Sequence, residues 1–527
     1  MRKQYLRVFS FVTAVNLLLV LHIETSGNLR EGWQQNYVKG FQWWDMILFL
    51  IFFLVLYGGT MVFVEKVFPK VQCAFHNYGI KQNSWSKRSV FWCTFFFLFA
   101  IWFFFFLVFY PGTAMNDTIY ILRNPKELCY QHPVLYILYT YAFYRIGVAC
   151  GNPNLGLALL SLVQMLAMDY VVSYAITYLY KKKAAMWLCI VFACYFAFVP
   201  LFSTYAVSAI KDTPFSICLF YFCVLLLELA ESRGELLNDT KYCLKCMLTI
   251  CVITGFRSNG VMIMIGALVL LLVVYKRYWK QMLVSFLLPI GVSCILSEFF
   301  MPVGVEKLFQ EKVAIPLQQV SAVVASGGEL TAKQEEYLYR LLPKEKWQNY
   351  APSCADNIKW DDEFDRQYLN ETKAEFLKIW VELLPENVST YVQAYIMETY
   401  GIWGLETRNG EQYYVKDIYP NDLGLYQDSP LPEGIRKLVY TYYCNRFTYR
   451  YLSEGTAFLI LFGVTLMMLY AKKYQAAAAF SPIWMCFVSL MVATPIAFAF
   501  RYVFVMALLF PFLIIIPFWI LEEERVQ

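Results

Sequence analysis

Charge is scarce in this chain. Only 16% of its 527 residues are Asp, Glu, Lys or Arg, against 59% hydrophobic and 19% aromatic, which is not the balance of a soluble domain. Histidine is scarcer still: His22, His76 and His132 stand far apart and give no basis for a His-based metal site. Cysteine is plentiful at fifteen, but most lie inside apolar runs, as Cys189, Cys194, Cys218 and Cys223 do, where a thiol acts as a small apolar side chain. No paired C-x-x-C zinc pattern is present. Segments of strict apolar-polar alternation are missing, which excludes a transmembrane β-barrel. No internal repeat is visible, so an inverted-repeat transporter architecture gains no support. The net charge of +5 is small for this length, and its Lys and Arg sit between apolar runs as topology determinants, so nucleic acid is not an expected partner.

What is present is a succession of apolar runs, such as FWCTFFFLFAIWFFFFLVF from Phe91 to Phe109, near or above the roughly 17 residues that cross a hydrocarbon core. The expectation is an all-α polytopic membrane protein. The opening MRKQYLR and its following apolar run read as an uncleaved signal anchor with its N-terminus in the cytoplasm. Further spans are expected near 45–64, 89–110, 156–180, 184–202, 213–230, 243–256, 260–275, 282–301, 455–470, 476–499 and 503–521, about twelve crossings in all. Segment 133–149 is short, Tyr-rich and contains Arg145, and the count of crossings works best if it is interfacial or re-entrant. Residues 1–301 then form an N-terminal transmembrane module with a first outer loop at 111–132. Residues 302–452 form an extracytoplasmic insert of mixed composition, and 453–527 a C-terminal transmembrane module. The insert is expected to be largely helical: Thr331 to Gln334 fits a capping box, and Asn370 is placed to cap a second helix closed by Pro385. Cys354 and Cys444 leave a disulfide within it open.

Polar groups at membrane depth are costly, and five motifs place them at the outer ends of different spans. In FYPGTAMNDTIYILR, 109–123, a Pro-Gly turn is followed by Asn116 and Asp117; a helix cap explains the pair when taken alone. His132-Pro133 reads as an interfacial His before a helix-starting proline. Lys211-Asp212 reads as a helix-capping ion pair. Arg257 and Asn259, in RSNG at 257–260, are harder to explain by topology. Arg501-Tyr502 fits a snorkelling guanidinium. Together they supply a lone carboxylate beside several cations, which is what transfer from a lipid phosphate requires: a base for an acceptor hydroxyl and positive charge for the departing phosphate.

In the order YPGTAMND 110–117, QHP 131–133, KD 211–212, RSNG 257–260 and RY 501–502, with the insert stretch IPLQQVSAVVASGGELT 315–331, the chain resembles the GT-C superfamily of multispanning glycosyltransferases. More narrowly it resembles a bacterial family with YPG…D, HP, KD, R-x-N-G and late RY elements. The resemblance implies a GT-C-like bundle in the plasma membrane with its active site on the extracytoplasmic face. It implies transfer of a sugar from a polyprenyl-phosphate donor to a glycan, lipid or protein acceptor, with Asp117 as catalytic base and His132 near the acceptor. Lys211, Arg257 and Arg501 are then expected at the donor phosphate, with Asn116, Asp212, Asn259 and Tyr502 in support. Thr118 and Ile121 depart from the family's Ser and polar residue after the aspartate. A divalent cation, Mg²⁺ or Mn²⁺, is the one cofactor the superfamily raises, with Asp212 as its only candidate partner to Asp117. Two other classes fit the same composition: a transporter or flippase of lipid-linked sugars, and a surface-polysaccharide polymerase or ligase using Arg340, Arg366, Arg408, Arg436, Arg446 and Arg450.

Overall fold

A computed structural model describes residues 2–24, 36–71, 73, 85–303, 307–405, 417–444, 453–493, 496–497 and 499–520. Helix dominates it, because a chain this apolar must satisfy its own backbone groups where no water reaches. Among the described residues, seven helices are long and apolar enough to cross a membrane: Lys3–His22, Trp43–Val71, Lys87–Val108, Pro153–Lys181, Asp212–Glu231, Lys276–Phe299 and Phe500–Phe518. An eighth forms if Met186–Phe198 and Pro200–Ala206, bent by 60°, count as one. The break falls at Val199, whose extended backbone (φ −78°, ψ 115°) precedes Pro200, as the steric demand of proline on its predecessor requires. On the Trp43–Val62 helix, Ile47, Leu50, Ile51, Leu54 and Val55 are all exposed, an apolar face that lipid covers. This is a multi-pass membrane protein.

The seven or eight spans compare with about twelve expected from apolar runs, and the difference lies in short helices. Gly260–Val274 has 15 residues and Ser481–Ala493 has 13, about 22 Å and about 20 Å of helix, which fall short of a hydrocarbon core of about 30 Å. Val134–Ala149, the segment expected not to cross, has 16 residues. It forms a tight hairpin with Pro153–Lys181. A Cβ on Gly156 would sit 2.3 Å from the Phe143 carbonyl oxygen, and one on Gly147 would sit 2.5 Å from the Gly156 nitrogen, so both glycines are needed for the approach.

The insert has a hydrophobic core of its own, in which Leu317, Val320, Trp347, Tyr350, Leu369 and Phe376 are buried. Its central helix, Ala314–Ala325, carries most of the IPLQQVSAVVA stretch. Thr331 caps Ala332–Leu341 with Gln334 in a reciprocal capping box. Asn370 is not the cap of the next helix: Asp365 caps Arg366–Glu371 by accepting the Tyr368 N–H at 2.8 Å, and a separate helix starts at Lys373 with Thr372 as its N-cap. Asn370 is instead inside the last turn of Arg366–Glu371, and the chain breaks two residues later, at Thr372. The side chain of Cys444 lies outside the described residues.

Several contacts tie the insert to the bundle. Its last long helix, Val388–Trp403, ends against Glu454–Tyr470, where a Cβ on Gly455 would lie 2.0 Å from the Gly404 carbonyl oxygen. The Ser353 carbonyl accepts the Ala497 N–H at 2.9 Å, just ahead of Arg501. Residues 417–428 return over the first loop, where Ala114 donates to Asp417 at 3.2 Å and accepts from Tyr419 at 2.9 Å.

Candidate active site

The Lys87–Val108 span delivers the chain to Tyr110-Pro111, a cis peptide, and to Gly112 with φ +127°. A side chain at 112 would meet the Ser161 hydroxyl at 2.1 Å and the Val207 carbonyl at 2.9 Å, so glycine is demanded by both conformation and space. The turn lays Thr113–Ala114 parallel to Ser208–Ala209. Gln164, buried in the neighbouring span, donates to the carbonyls of Tyr205, Ala206 and Ser208 at 3.0, 3.0 and 2.8 Å. These bonds fix two chain-distant loops side by side: the one leading to Asp117 and the one leading to Lys211.

Asp117 lies in the first turn of the Asn116–Arg123 helix, whose N-cap is Met115 with no side-chain cap. The carboxylate is therefore not spent on the helix, which removes the simplest structural explanation for it. It is 31% exposed and stands 3.8 Å from an Arg501 guanidinium nitrogen. Burial pushes its carboxyl up, but the charges of Arg501 and Lys211 outweigh that and hold it below the ordinary aspartate range. Asn116 beside it is exposed.

His132 closes the same loop, buried, with Nδ1 2.9 Å from the Lys211 ammonium. Burial, then the Lys211 charge, lowers its imidazole to about 3, so at neutral pH the ring is uncharged and Nδ1 accepts a hydrogen bond from the lysine ammonium. Burial likewise pulls Lys211 below the ordinary lysine value, against the opposing pull of Asp117 and Asp212.

Asp212 does not cap the helix that it starts. Its carboxylate, 1% exposed, lies 2.6 Å from Arg257, an ion pair whose angles fall outside hydrogen-bond geometry. Arg257 is held between two rings, 5.2 Å from the centre of Phe215 and 5.0 Å from that of Tyr502, and Arg501 lies 5.3 Å from the Tyr502 ring. Asn259 donates to the Ser489 hydroxyl at 2.7 Å. The structure thus gathers Asp117, His132, Lys211, Asp212, Arg257, Arg501 and Tyr502 into one network, with Asn259 behind it and Asn116 at its rim.

Sequence reasoning missed several members. Arg501 also touches the Met115 sulfur at 3.3 Å. Lys359, from the insert, is 2% exposed between Asp356 at 3.0 Å and Glu311 at 3.3 Å, and its charge reaches Asp117. Nothing in DNIKWDDEFDR marks that lysine as buried. Thr118 donates to the Ala209 carbonyl and Ile121 is in a small apolar core, so the two positions that depart from the family pattern are structural here.

The donor set does not suit a divalent cation. Asp212 is neutralised by Arg257, Asp117 faces Arg501 and Lys211, and among the described residues no three His, Cys, Asp or Glu side chains are grouped. The chain's one C-x-x-C spacing, Cys243 to Cys246, lies on the Thr240–Phe256 helix and joins no such group. Of the insert arginines, Arg340 stacks on Tyr368 at 4.1 Å and Arg366 on Trp360 at 5.3 Å, Arg436 lies on the Glu433–Leu438 helix, and Arg408, Arg446 and Arg450 lie outside the described residues.

No curated protein and no solved structure matches the chain. Residues 13–527 match a family of unknown function, DUF6020, and the chain belongs to that family.

Proposed function

We propose that this protein is a membrane glycosyltransferase of GT-C type, moving a sugar from a polyprenyl-phosphate donor to a hydroxyl of an extracytoplasmic acceptor. The observation that carries this reading is a half-exposed carboxylate, Asp117, beside two cations that no carboxylate fully neutralises. In the immediate cluster, three cations (Lys211, Arg257, Arg501) face two carboxylates (Asp117, Asp212) around a neutral His132, and this local excess of positive charge suits a phosphate. Arg257 is committed to Asp212, so Lys211 and Arg501 are the phosphate contacts and Arg257 holds the wall behind them.

In the step proposed, Asp117 takes the proton of the acceptor hydroxyl while that oxygen forms its bond to the anomeric carbon. The bond from that carbon to the phosphate oxygen breaks, its electron pair leaves with polyprenyl phosphate, and the configuration inverts. Arg501 and Lys211 stabilise the charge that develops on the leaving group. The donor's lipid chain stays in the bilayer, which accounts for a site at the ends of spans. Twelve crossings with a re-entrant 133–149 segment, in a bacterial plasma membrane, belong to the same proposal.

The test is release of polyprenyl phosphate from a panel of polyprenyl-phosphate sugars by the protein in lipid nanodiscs. Wild type is expected to release it, and folded Asp117→Asn to do so about 10²–10⁴-fold more slowly. Equal release by both proteins overturns the role of Asp117; no release from any donor favours a transporter of the same lipids.

A further inference from the structure

The insert carries an open cleft of about 520 Å³ that the transfer step does not use. It is lined by Trp360, Gln348, Asn349, Asn357, Asp356 and Asp361 among others. Trp360 is half-buried, with the Arg366 guanidinium 5.3 Å from its ring centre to hold the indole in place. Around it stand three side-chain amides. Asn349 donates to Asp361 at 3.2 Å, Asn357 to the Asn349 carbonyl at 3.4 Å, and Gln348 to the Ala325 carbonyl at 3.3 Å, long bonds at the surface that ligand hydroxyls can replace. The side-chain amides offer both donors and acceptors.

The charge of the lining narrows the ligand. Asp356 and Asp361 repel a phosphate or other anion, while Lys359 and Lys346 already occupy those carboxylates at 3.0 and 3.4 Å, which leaves little for a cation. A neutral polyhydroxylated molecule meets neither objection. A sugar ring presents C–H groups on one face, suited to the electron-rich face of an indole, and hydroxyls at its edge, suited to amides and carboxylates.

The cleft is also placed next to the network around Asp117. Its Asp356 belongs to the short Asp356–Lys359 helix, whose Lys359 bears on Asp117 electrostatically. The strand-like contact of Cys354 with Ile496 and the Ser353–Ala497 hydrogen bond fix that helix to the segment that delivers Arg501. We propose that this cleft binds a neutral sugar unit of the acceptor and thereby presents an acceptor glycan to Asp117. The proposal rests on the glycosyltransferase reading for its purpose, but binding itself does not require catalysis.

The experiment is saturation-transfer NMR on full-length protein in nanodiscs, with maltotriose, mannotriose, chitotriose and galactobiose as neutral probes and glucose 1-phosphate as an anionic one. At least one neutral probe is expected to bind wild type and Asp117→Asn alike, to bind Trp360→Phe measurably, and to bind Trp360→Ala roughly tenfold more weakly. Binding of no neutral probe, equal binding to Trp360→Ala, or a preference for glucose 1-phosphate that is lost in Trp360→Ala overturns the proposal. Failure of the transferase reading shows instead in the release assay, with glycan binding intact.

Discussion

At the scale of the residue, the working range of the site is set by two depressed proton affinities. In the proposed transfer Asp117 must be ionised to act as base, and its carboxyl lies below the ordinary aspartate range. Transfer should therefore persist down to about pH 3.9 and fall only below it. The same depression adds stability that is present above the unfolded aspartate value and is lost as pH falls through the folded one. Lys211 must be charged to meet a phosphate, and burial holds it below the ordinary lysine value. The alkaline limb of activity should thus begin below about pH 10.4. Lys211→Arg should move that limb upward, because a guanidinium stays charged there. A pH-rate profile of donor release for both proteins checks this; an unmoved alkaline limb in the variant removes Lys211 from the phosphate site. Asp117 was legible from sequence because Pro-Gly and Asn-Asp stand at the end of an uninterrupted apolar run. The contacts of Lys359 were not, because burial inside the insert depends on tertiary packing and its neighbours in sequence are ordinary surface charges.

At the scale of the element, helix ends do most of the positioning. Lys211 and Asp212 open one span, Arg257 closes the helix Thr240–Phe256, and the Phe215 and Tyr502 rings hold the guanidinium. Breaking a buried pair by removing one charge leaves the other uncompensated, a loss of roughly 3–5 kcal/mol. Asp212→Asn is expected to fall in that range. Replacing both partners by apolar residues of similar volume, Asp212→Leu with Arg257→Met, is expected to cost much less than the single change. Thermal unfolding in nanodiscs of the single and double variants decides it, and a double variant as unstable as the single one contradicts the ion-pair account. Local chemistry also governed what could be read of the helices. The Thr331–Gln334 box was legible because both halves are adjacent in sequence. The start of the following helix was not, because a short helix capped by Asp365 takes up Asn370 and the next begins after Thr372 without a side-chain cap. Apolar run length counts about twelve crossings where seven or eight helices among the described residues are long enough, because Gly260–Val274 and Ser481–Ala493, apolar in part through burial against other helices, are shorter than a span.

At the scale of the whole molecule, the network around Asp117 draws on five segments separated by up to hundreds of residues, and the insert returns to close over one of them. Beside the backbone bonds to Ala114, two side-chain contacts of the returning segment with the first module can be compared. Arg123 pairs with Asp422 at 2.6 Å, but the two side chains are 39% and 74% exposed. Asn154, in contrast, is buried at 3%, donates to the Tyr426 carbonyl at 3.0 Å and accepts the Tyr426 N–H at 3.1 Å. Distance alone ranks the ion pair first; solvent reverses the order. An exposed pair contributes about 0–1 kcal/mol, whereas loss of a buried amide leaves backbone groups without partners at about 1–3 kcal/mol. Asn154→Ala should therefore lower the unfolding temperature more than Arg123→Ala, and only the Arg123 effect should shrink further in high salt. If Arg123→Ala proves the more damaging, the segment 417–428 is held to the first loop by charge, and donor release by the intact protein should then weaken as salt rises.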